Sequence, residues 1–312
     1  MAEGRTQSVT SEYVTEQVLA AMSAAPDPRI RELLTELVRH AHDFARAVEL
    51  TSSELLRAAE YLKACGLISD DARHEFILLA DVLGITMVTE TLAAEVPDGA
   101  FETSVLGPFY RANAPLEKAG ANISRGERDG EPALIHGQVL DGQGAPIPGA
   151  ELDVWGTNRN GLYENVDPTQ PDFNLRGRFR TGDNGEFEFW TVKPVSYPIP
   201  DDGPVGELLR AAGRHNMRPG HLHIIASAPG YRTVVSELYT HDDPYLREDA
   251  VFGVKPSLVV RYRQVSAPDA VAAAGRTTPF WELERNIVLM PGEGDAVTFT
   301  AARSGEHGIR AG

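Results

Sequence analysis

Cysteine is all but missing from this 312-residue chain, and Cys65 is the only one. A single thiol excludes an intrachain disulfide, and it excludes zinc or iron–sulfur sites assembled from several thiolates. It also suits a reducing compartment. Cations are scarce too: 29 Lys and Arg stand against 45 Asp and Glu, a formal charge of −16. A surface of that sign repels phosphate backbones and anionic bilayers, so neither nucleic acid nor membrane is an expected partner. Long hydrophobic runs are absent. The most apolar stretch, Phe76 to Val88, is interrupted by Asp81 and too short to span a bilayer. The opening Met1-Ala2-Glu3-Gly4-Arg5-Thr6 has no apolar segment of signal-peptide kind. The expectation is a cytoplasmic globular protein.

What is present changes character near residue 100. Before it, apolar residues recur at helical spacing. Thr10 or Ser11 caps a first helix that runs to Met22, and Leu33, Leu34, Leu37, Val38 and Ala41 mark a second. Thr51-Ser52-Ser53-Glu54 is a capping box opening a third helix, which Gly66 is expected to end. Ser69-Asp70 should cap a fourth, running unbroken through Leu83 to Val88. After Pro97-Asp98-Gly99, short β-branched and aromatic runs alternate with turn dipeptides. Strands are expected at Ala133–Leu140, Ala150–Trp155, Gly185–Trp190, His221–Ala228, Val234–Leu238, Leu258–Tyr262 and Arg285–Leu289, with one helix at Gly206–Ala212. Gly182-Asp183-Asn184 before Gly185 carries a hairpin signature. The predicted class is α+β: a helical linker or dimerisation domain over residues 1–100, then a mainly antiparallel β-sandwich catalytic domain over 101–312.

One strand carries an unusual pair. In Arg218-Pro219-Gly220-His221-Leu222-His223, residues two apart on a strand share a face, so both imidazoles project together and Leu222 turns away. The spacing suits half a metal site, and equally two strand histidines satisfied by hydrogen bonds. Tyr163 follows a strand end in Asn160-Gly161-Leu162-Tyr163, and Tyr197 sits in the proline-stiffened Pro194-Val195-Ser196-Tyr197-Pro198-Ile199-Pro200. A phenol with a pKa of about 10 becomes a ligand only beside a strongly charged cation. Two phenolates with two neutral imidazoles would suit a hard trivalent iron better than zinc. Whether the four meet is left open by spacing alone.

Longer motifs speak to that. Leu106-Gly107-Pro108-Phe109-Tyr110, Asp153-Val154-Trp155, Gly161-Leu162-Tyr163, Phe173-Asn174-Leu175-Arg176-Gly177-Arg178 and Gly213-Arg214-His215-Asn216-Met217-Arg218-Pro219-Gly220-His221-Leu222-His223 occur in order. Together with Glu75-Phe76-Ile77-Leu78-Leu79-Ala80-Asp81 in the front half, they closely resemble the intradiol ring-cleaving dioxygenases. Pro194 to Pro204 and Asp249 to Leu258 look like the subgroup that opens hydroxyquinol, 1,2,4-trihydroxybenzene.

The resemblance implies that Tyr163, Tyr197, His221 and His223 bind one non-haem Fe(III) per subunit. O₂ then enters between the two hydroxylated carbons of a chelated aromatic diol or triol, and the ring opens to a muconate. Tyr197 would leave the metal and take a substrate proton, and Arg218 would stabilise charge developing on the ring. Leu78, Asp81, Val105, Leu106, Gly107, Pro108, Ile199, Pro200 and Phe252 would line the pocket, Asp81 receiving a third hydroxyl. Glu237 departs from the pattern, standing beside the metal where catechol enzymes carry glutamine. The front helices resemble the family's dimer-forming linker, implying a homodimer with a lipid between helices. Three alternatives stand: a catechol or chlorocatechol 1,2-dioxygenase, a non-catalytic transthyretin-like binding module, and a divalent-metal hydrolase built on His221, His223 and carboxylates.

Overall fold

Helices begin where side chains satisfy the first free amides. Thr10 Oγ1 accepts from Tyr13 N at 3.2 Å to open α1 (Ser11–Met22), and Asp27 Oδ1 accepts from Ile30 N at 2.9 Å to open α2 (Pro28–Ala47). The computed structural model describes residues 9–70, 73–93, 99–126 and 130–292. The Thr51–Glu54 box forms as expected: Glu54 Oε2 accepts from Thr51 N at 2.9 Å at the start of α3 (Ser52–Ile68). The helix does not stop at Gly66 but carries it inside. An interior glycine costs only about 1 kcal/mol, and Ser69 Oγ closes the end by donating to the Cys65 carbonyl at 2.7 Å.

The unbroken fourth helix is instead two. α4 (Glu75–Val82) ends at Leu83, and α5 (Ile85–Ala93) begins after Gly84, whose φ of +73° is left-handed. Ser69 Oγ does accept from Glu75 N at 3.1 Å, but the helix starts at Glu75 itself. Two compact units divide between Ala64 and Cys65, earlier than the expected boundary near residue 100, so α4 and α5 belong with the β-rich unit.

That unit continues through β1 (Pro132–Asp141), β2 (Glu151–Trp155), β3 (Arg176–Arg180), β4 (Glu186–Val192) and the short β5 (Tyr197–Pro198). Helix α6 (Pro204–Ala211), β6 (Met217–Arg218), β7 (His221–Ser227), β8 (Val234–Thr240) and β9 (Val259–Val260) follow. The chain then forms β10 (Arg263–Val265), α7 (Pro268–Ala273), β11 (Phe280–Glu284) and β12 (Ile287–Leu289). One sheet runs β10-β11-β1-β12 with β4 also on β1, the other runs β3-β2-β7-β8-β9, and β5 pairs with β6 alone. Most pairings are antiparallel, with β11 and β12 parallel to β1 and β9 parallel to β8. The turn at Gly182–Gly185 is therefore no hairpin: β3 pairs with β2 and β4 with β1, in different sheets. Turn residues reverse the chain locally but do not choose its next partner.

The sandwich core lies between the sheets. Ile135 and Val139 of β1 and Phe187 and Phe189 of β4 meet Leu152 and Val154 of β2 and Leu222, Ile224 and Ala226 of β7. The odd-numbered residues of β7 turn the other way. Ile225 belongs to a second apolar cluster with Leu78 and Val82 of α4, Val205 and Leu209 of α6, and Trp155, Tyr163 and Tyr197. The outer face of the second sheet is thus roofed by helices rather than water, and His221 and His223 project onto that face.

Candidate active site

Register builds the floor of the site. His223 lies opposite Trp155 on β2 and Glu237 on β8, and His221 lies opposite Tyr239. Side chains paired this way share a face, so the row Trp155, His223, Glu237 crosses three strands. The Trp155 and His223 rings stack at 4.5 Å, 4° from parallel, which fixes the imidazole plane.

Two irregular segments bring the tyrosines over this floor. Tyr197 is held by pairing with Arg218 just before β7 begins. Tyr163 arrives on the loop after β2, which Gly161 lets close: its φ is +74°, and a Cβ there would stand 2.4 Å from Tyr197 Cβ. Four donor atoms then form a closed ring. Tyr163 Oη is 3.0 Å from Tyr197 Oη and 2.9 Å from His223 Nε2. Tyr197 Oη is 3.3 Å from His221 Nε2, which is 3.1 Å from His223 Nε2. Nothing in the spacing of residues 163, 197, 221 and 223 required this convergence.

The protonation of the ring decides what it can hold. The Pro219 carbonyl, 2.7 Å from His221 Nδ1, can only accept, so that nitrogen carries the proton and Nε2 presents its lone pair. His223 Nδ1 makes no hydrogen bond among the described residues, and Glu237 Oε1 lies 3.4 Å from it. Burial pushes both imidazoles below their ordinary range, His223 strongly. Burial likewise pushes both phenols up, Tyr163 furthest, where Tyr197 adds to the effect. The four donor atoms face one another, two imidazole nitrogens across from two phenol oxygens. Ligands about 2.1 Å from a common ion stand roughly 3 Å apart when adjacent, the spacing seen here. The donor set fits a cation.

Glu237 offers a different set, since with His221 and His223 it could also hold a metal. Its oxygens are already engaged. Oε1 accepts from Arg218 Nη1 at 2.8 Å, and Oε2 accepts from Arg218 Nη2 at 3.0 Å, from Ser104 Oγ at 2.8 Å and from the Tyr239 hydroxyl. Burial opposes its charge, yet the Arg218 guanidinium outweighs that and holds the carboxyl well below its usual range. Glu237 is a partner of Arg218. The guanidinium also donates to Asp249, Nε to Oδ1 at 3.1 Å, and lies 3.2 Å from His221 Nε2.

The other expected residues divide. Leu78, Val105, Leu106 and Ile199 cluster with both tyrosines, and Gly107 lies so close that a Cβ would come within 3.4 Å of His223 Cε1. Asp81 is buried beside them on α4, while Pro108 and Pro200 are half-buried. Phe252 stands apart: it is 52% exposed, with the Arg214 guanidinium 4.6 Å from its ring centre. Ser104, Tyr239 and Asp249 were not anticipated. Tyr239 was findable, two residues beyond Glu237 on one strand face; Ser104 and Asp249 come from loops with no local signal.

Behind Trp155, Tyr110 donates to Asp153 at 3.2 Å. Burial pushes the Asp153 carboxyl up to about 6, against Tyr110's donation, and pushes the Tyr110 phenol up to about 12. A carboxyl raised on folding stabilises fully below its unfolded pKa, near 3.8, and loses that contribution as pH rises through 6. Asp153→Asn keeps an acceptor for Tyr110 and removes the titration. Its stability relative to the parent is expected to be unchanged near pH 4 and higher by about 2 kcal/mol at pH 8. Urea unfolding at both pH values checks this, and a difference independent of pH counts against it.

Comparison with known proteins agrees with the geometry. The family described as "Dioxygenase" matches residues 105–291, and "Catechol dioxygenase N terminus" matches 27–100. A hydroxyquinol 1,2-dioxygenase of Rhizobium sp. (strain MTP-10005) is 43% identical over 89% of this chain and 95% of its own length. A 6-chlorohydroxyquinol 1,2-dioxygenase of Cupriavidus pinatubonensis is 44% identical over 81% of this chain and 91% of its own. The crystal structure of a Pseudomonas putida DLL-E4 hydroxyquinol 1,2-dioxygenase superposes with a TM-score of 0.84 at 44% identity, covering 90% of this chain and 99% of that one. A catechol 1,2-dioxygenase structure from Acinetobacter radioresistens gives 0.80 at 30% identity, covering 95% and 97%. Among the described residues no helix is long and apolar enough to cross a membrane. Helical front, sandwich and buried donor ring together mark an enzyme, and the chain belongs to the intradiol ring-cleaving dioxygenases.

Proposed function

We propose that this enzyme opens hydroxyquinol with O₂ between its adjacent hydroxylated carbons, giving 3-hydroxy-cis,cis-muconate, the enol form of maleylacetate. Tyr163, Tyr197, His221 and His223 hold one Fe(III). The observation that carries the reading is the closed ring of four buried donors with edges of 2.9 to 3.3 Å. Charge supports the trivalent ion. Two phenolates, Glu237 and Asp249 put more negative than positive charge around the Arg218 guanidinium in a buried cluster. An ion of higher charge offsets more of that excess.

Bound ferric iron supplies a Lewis acid and a template for a chelated diol. The chain supplies the rest. Tyr197 Oη, 3.3 Å from His221 Nε2, is placed to take a proton from an arriving phenol. Arg218, pinned by two carboxylates, presents Nη1 beside His221 as a fixed positive charge where ring charge develops. Leu78, Val105, Leu106 and Ile199 make a wall that excludes water from a flat ring. Asp81 is the acid in that wall and accepts the third hydroxyl. The exposed Leu33, Leu37 and Phe44 of α2 support a homodimer built on the helical unit, with a lipid chain held there.

Oxygen uptake by purified protein on a panel of diols and triols, with metal analysis, tests the reading. One iron per chain and a kcat/KM at least about tenfold higher for hydroxyquinol than for catechol are expected, the value of one hydrogen bond to a charged group. Preference for catechol or a chlorocatechol overturns the substrate assignment.

A further inference from the structure

Asp81 does not stand alone in the pocket wall. It lies in the last turn of α4, and Thr86 lies in the first turn of α5. Gly84 joins them at φ +73°, with its N–H on the Asp81 carbonyl at 2.9 Å, so residue 86 folds back over residue 81. Thr86 Oγ1 then donates to Asp81 Oδ1 at 2.6 Å. Among the described residues this is the one hydrogen bond to that carboxyl, and Oδ2 receives none. Asp81 is 3% exposed and lies three residues beyond Leu78 on the same helix, the residue that clusters with Tyr163 and Tyr197.

We infer that Thr86 is a positioning residue for substrate selection, its hydroxyl locking Asp81 so that Oδ2 is presented to the third hydroxyl of the substrate. The inference rests on the hydroxyquinol reading. An aspartate χ2 is broad and roughly two-fold, so an unheld Asp81 swings between orientations and must be ordered again at every binding event. Threonine is β-branched and stiff at χ1, which makes it a firm peg. In the ionised carboxyl Oδ1 takes the threonine proton, and Oδ2 remains as the acceptor that reads a hydroxyl donor on the ring. A ring bearing hydrogen or chlorine at that position offers no such donor. Selectivity then depends on two residues five apart across a helix break, one touching the substrate and one holding the first in place.

The test compares Thr86→Val, Thr86→Ser and Asp81→Asn with the parent holoenzyme, each assayed on hydroxyquinol and catechol. The ratio of the two kcat/KM values is expected to fall about tenfold in Thr86→Val, the size of one hydrogen bond, chiefly through a higher KM for hydroxyquinol. Thr86→Ser, which keeps the hydroxyl, should restore the ratio to within about twofold. A merely structural role lowers both substrates alike and leaves the ratio untouched, which overturns the inference. If the parent prefers hydroxyquinol and Asp81→Asn loses that preference while Thr86→Val keeps it, only the role of Thr86 falls. A parent with no preference for hydroxyquinol overturns this inference together with the substrate reading.

Discussion

Tyr163→Phe is expected to abolish ring cleavage, lowering turnover by about 10³-fold or more, and to remove the tyrosinate-to-iron colour that the proposed site predicts. Loss of an outer-shell partner costs about 10–100-fold in such sites, and an anionic ligand is worth more. The substitution isolates one atom. The ring of Tyr163 stacks on Phe109 at 4.8 Å and lies 5.8 Å from the Arg176 guanidinium, and phenylalanine preserves both contacts. Only Oη goes, and with it the bonds to Tyr197 and His223 that close the donor ring. Metal-free protein should lose only the roughly 1–3 kcal/mol that goes with these buried hydrogen bonds and stay folded, while iron content and visible absorption collapse. A Tyr163→Phe protein that keeps its iron, colour and turnover would remove Tyr163 from the ligand set.

The parts of this site that were legible in the sequence are those governed by local periodicity. His221 and His223 share a face because strands alternate, and Leu222, between them, went into the sandwich core as the same rule requires. The stiff setting of Tyr197 among prolines was also visible. What could not be read was register. Glu237 reaches Arg218 because β8 pairs with β7 in one particular alignment, and a slip of one residue would have sent it to the core. β3 escaped notice for a related reason. Arg-Gly-Arg-Phe-Arg looks like a charged loop, yet Arg176 is buried on Glu164 and Arg178 reaches Glu151. Two of its three charges are paired within the fold, and only Arg180 is exposed. The break at Gly84 was missed because the apolar pattern runs through it unchanged, and only the left-handed backbone reveals why Thr86 meets Asp81.

Arg218 separates two kinds of importance. It is 3% exposed and is held by Glu237 and Asp249, themselves buried, with the Tyr239 hydroxyl 3.0 Å from Nη2. Arg218→Met strands both carboxylates away from water, and removing one partner of a buried ion pair costs about 3–5 kcal/mol. A fall in turnover in that variant therefore says nothing about chemistry. Arg218→Lys keeps the charge but loses the planar fork, so an intermediate loss of about 1–3 kcal/mol is expected. The informative protein is the double variant, Arg218→Met with Glu237→Gln. It removes one stranded charge with its partner, and stability measured by urea unfolding should recover by about 2 kcal/mol. Turnover should not recover, because no fixed cation then stands 3.2 Å from His221 Nε2 to meet charge developing on the ring. Recovery of both together would mean that the arginine only neutralises its neighbours, and the electrostatic role assigned to it would be lost.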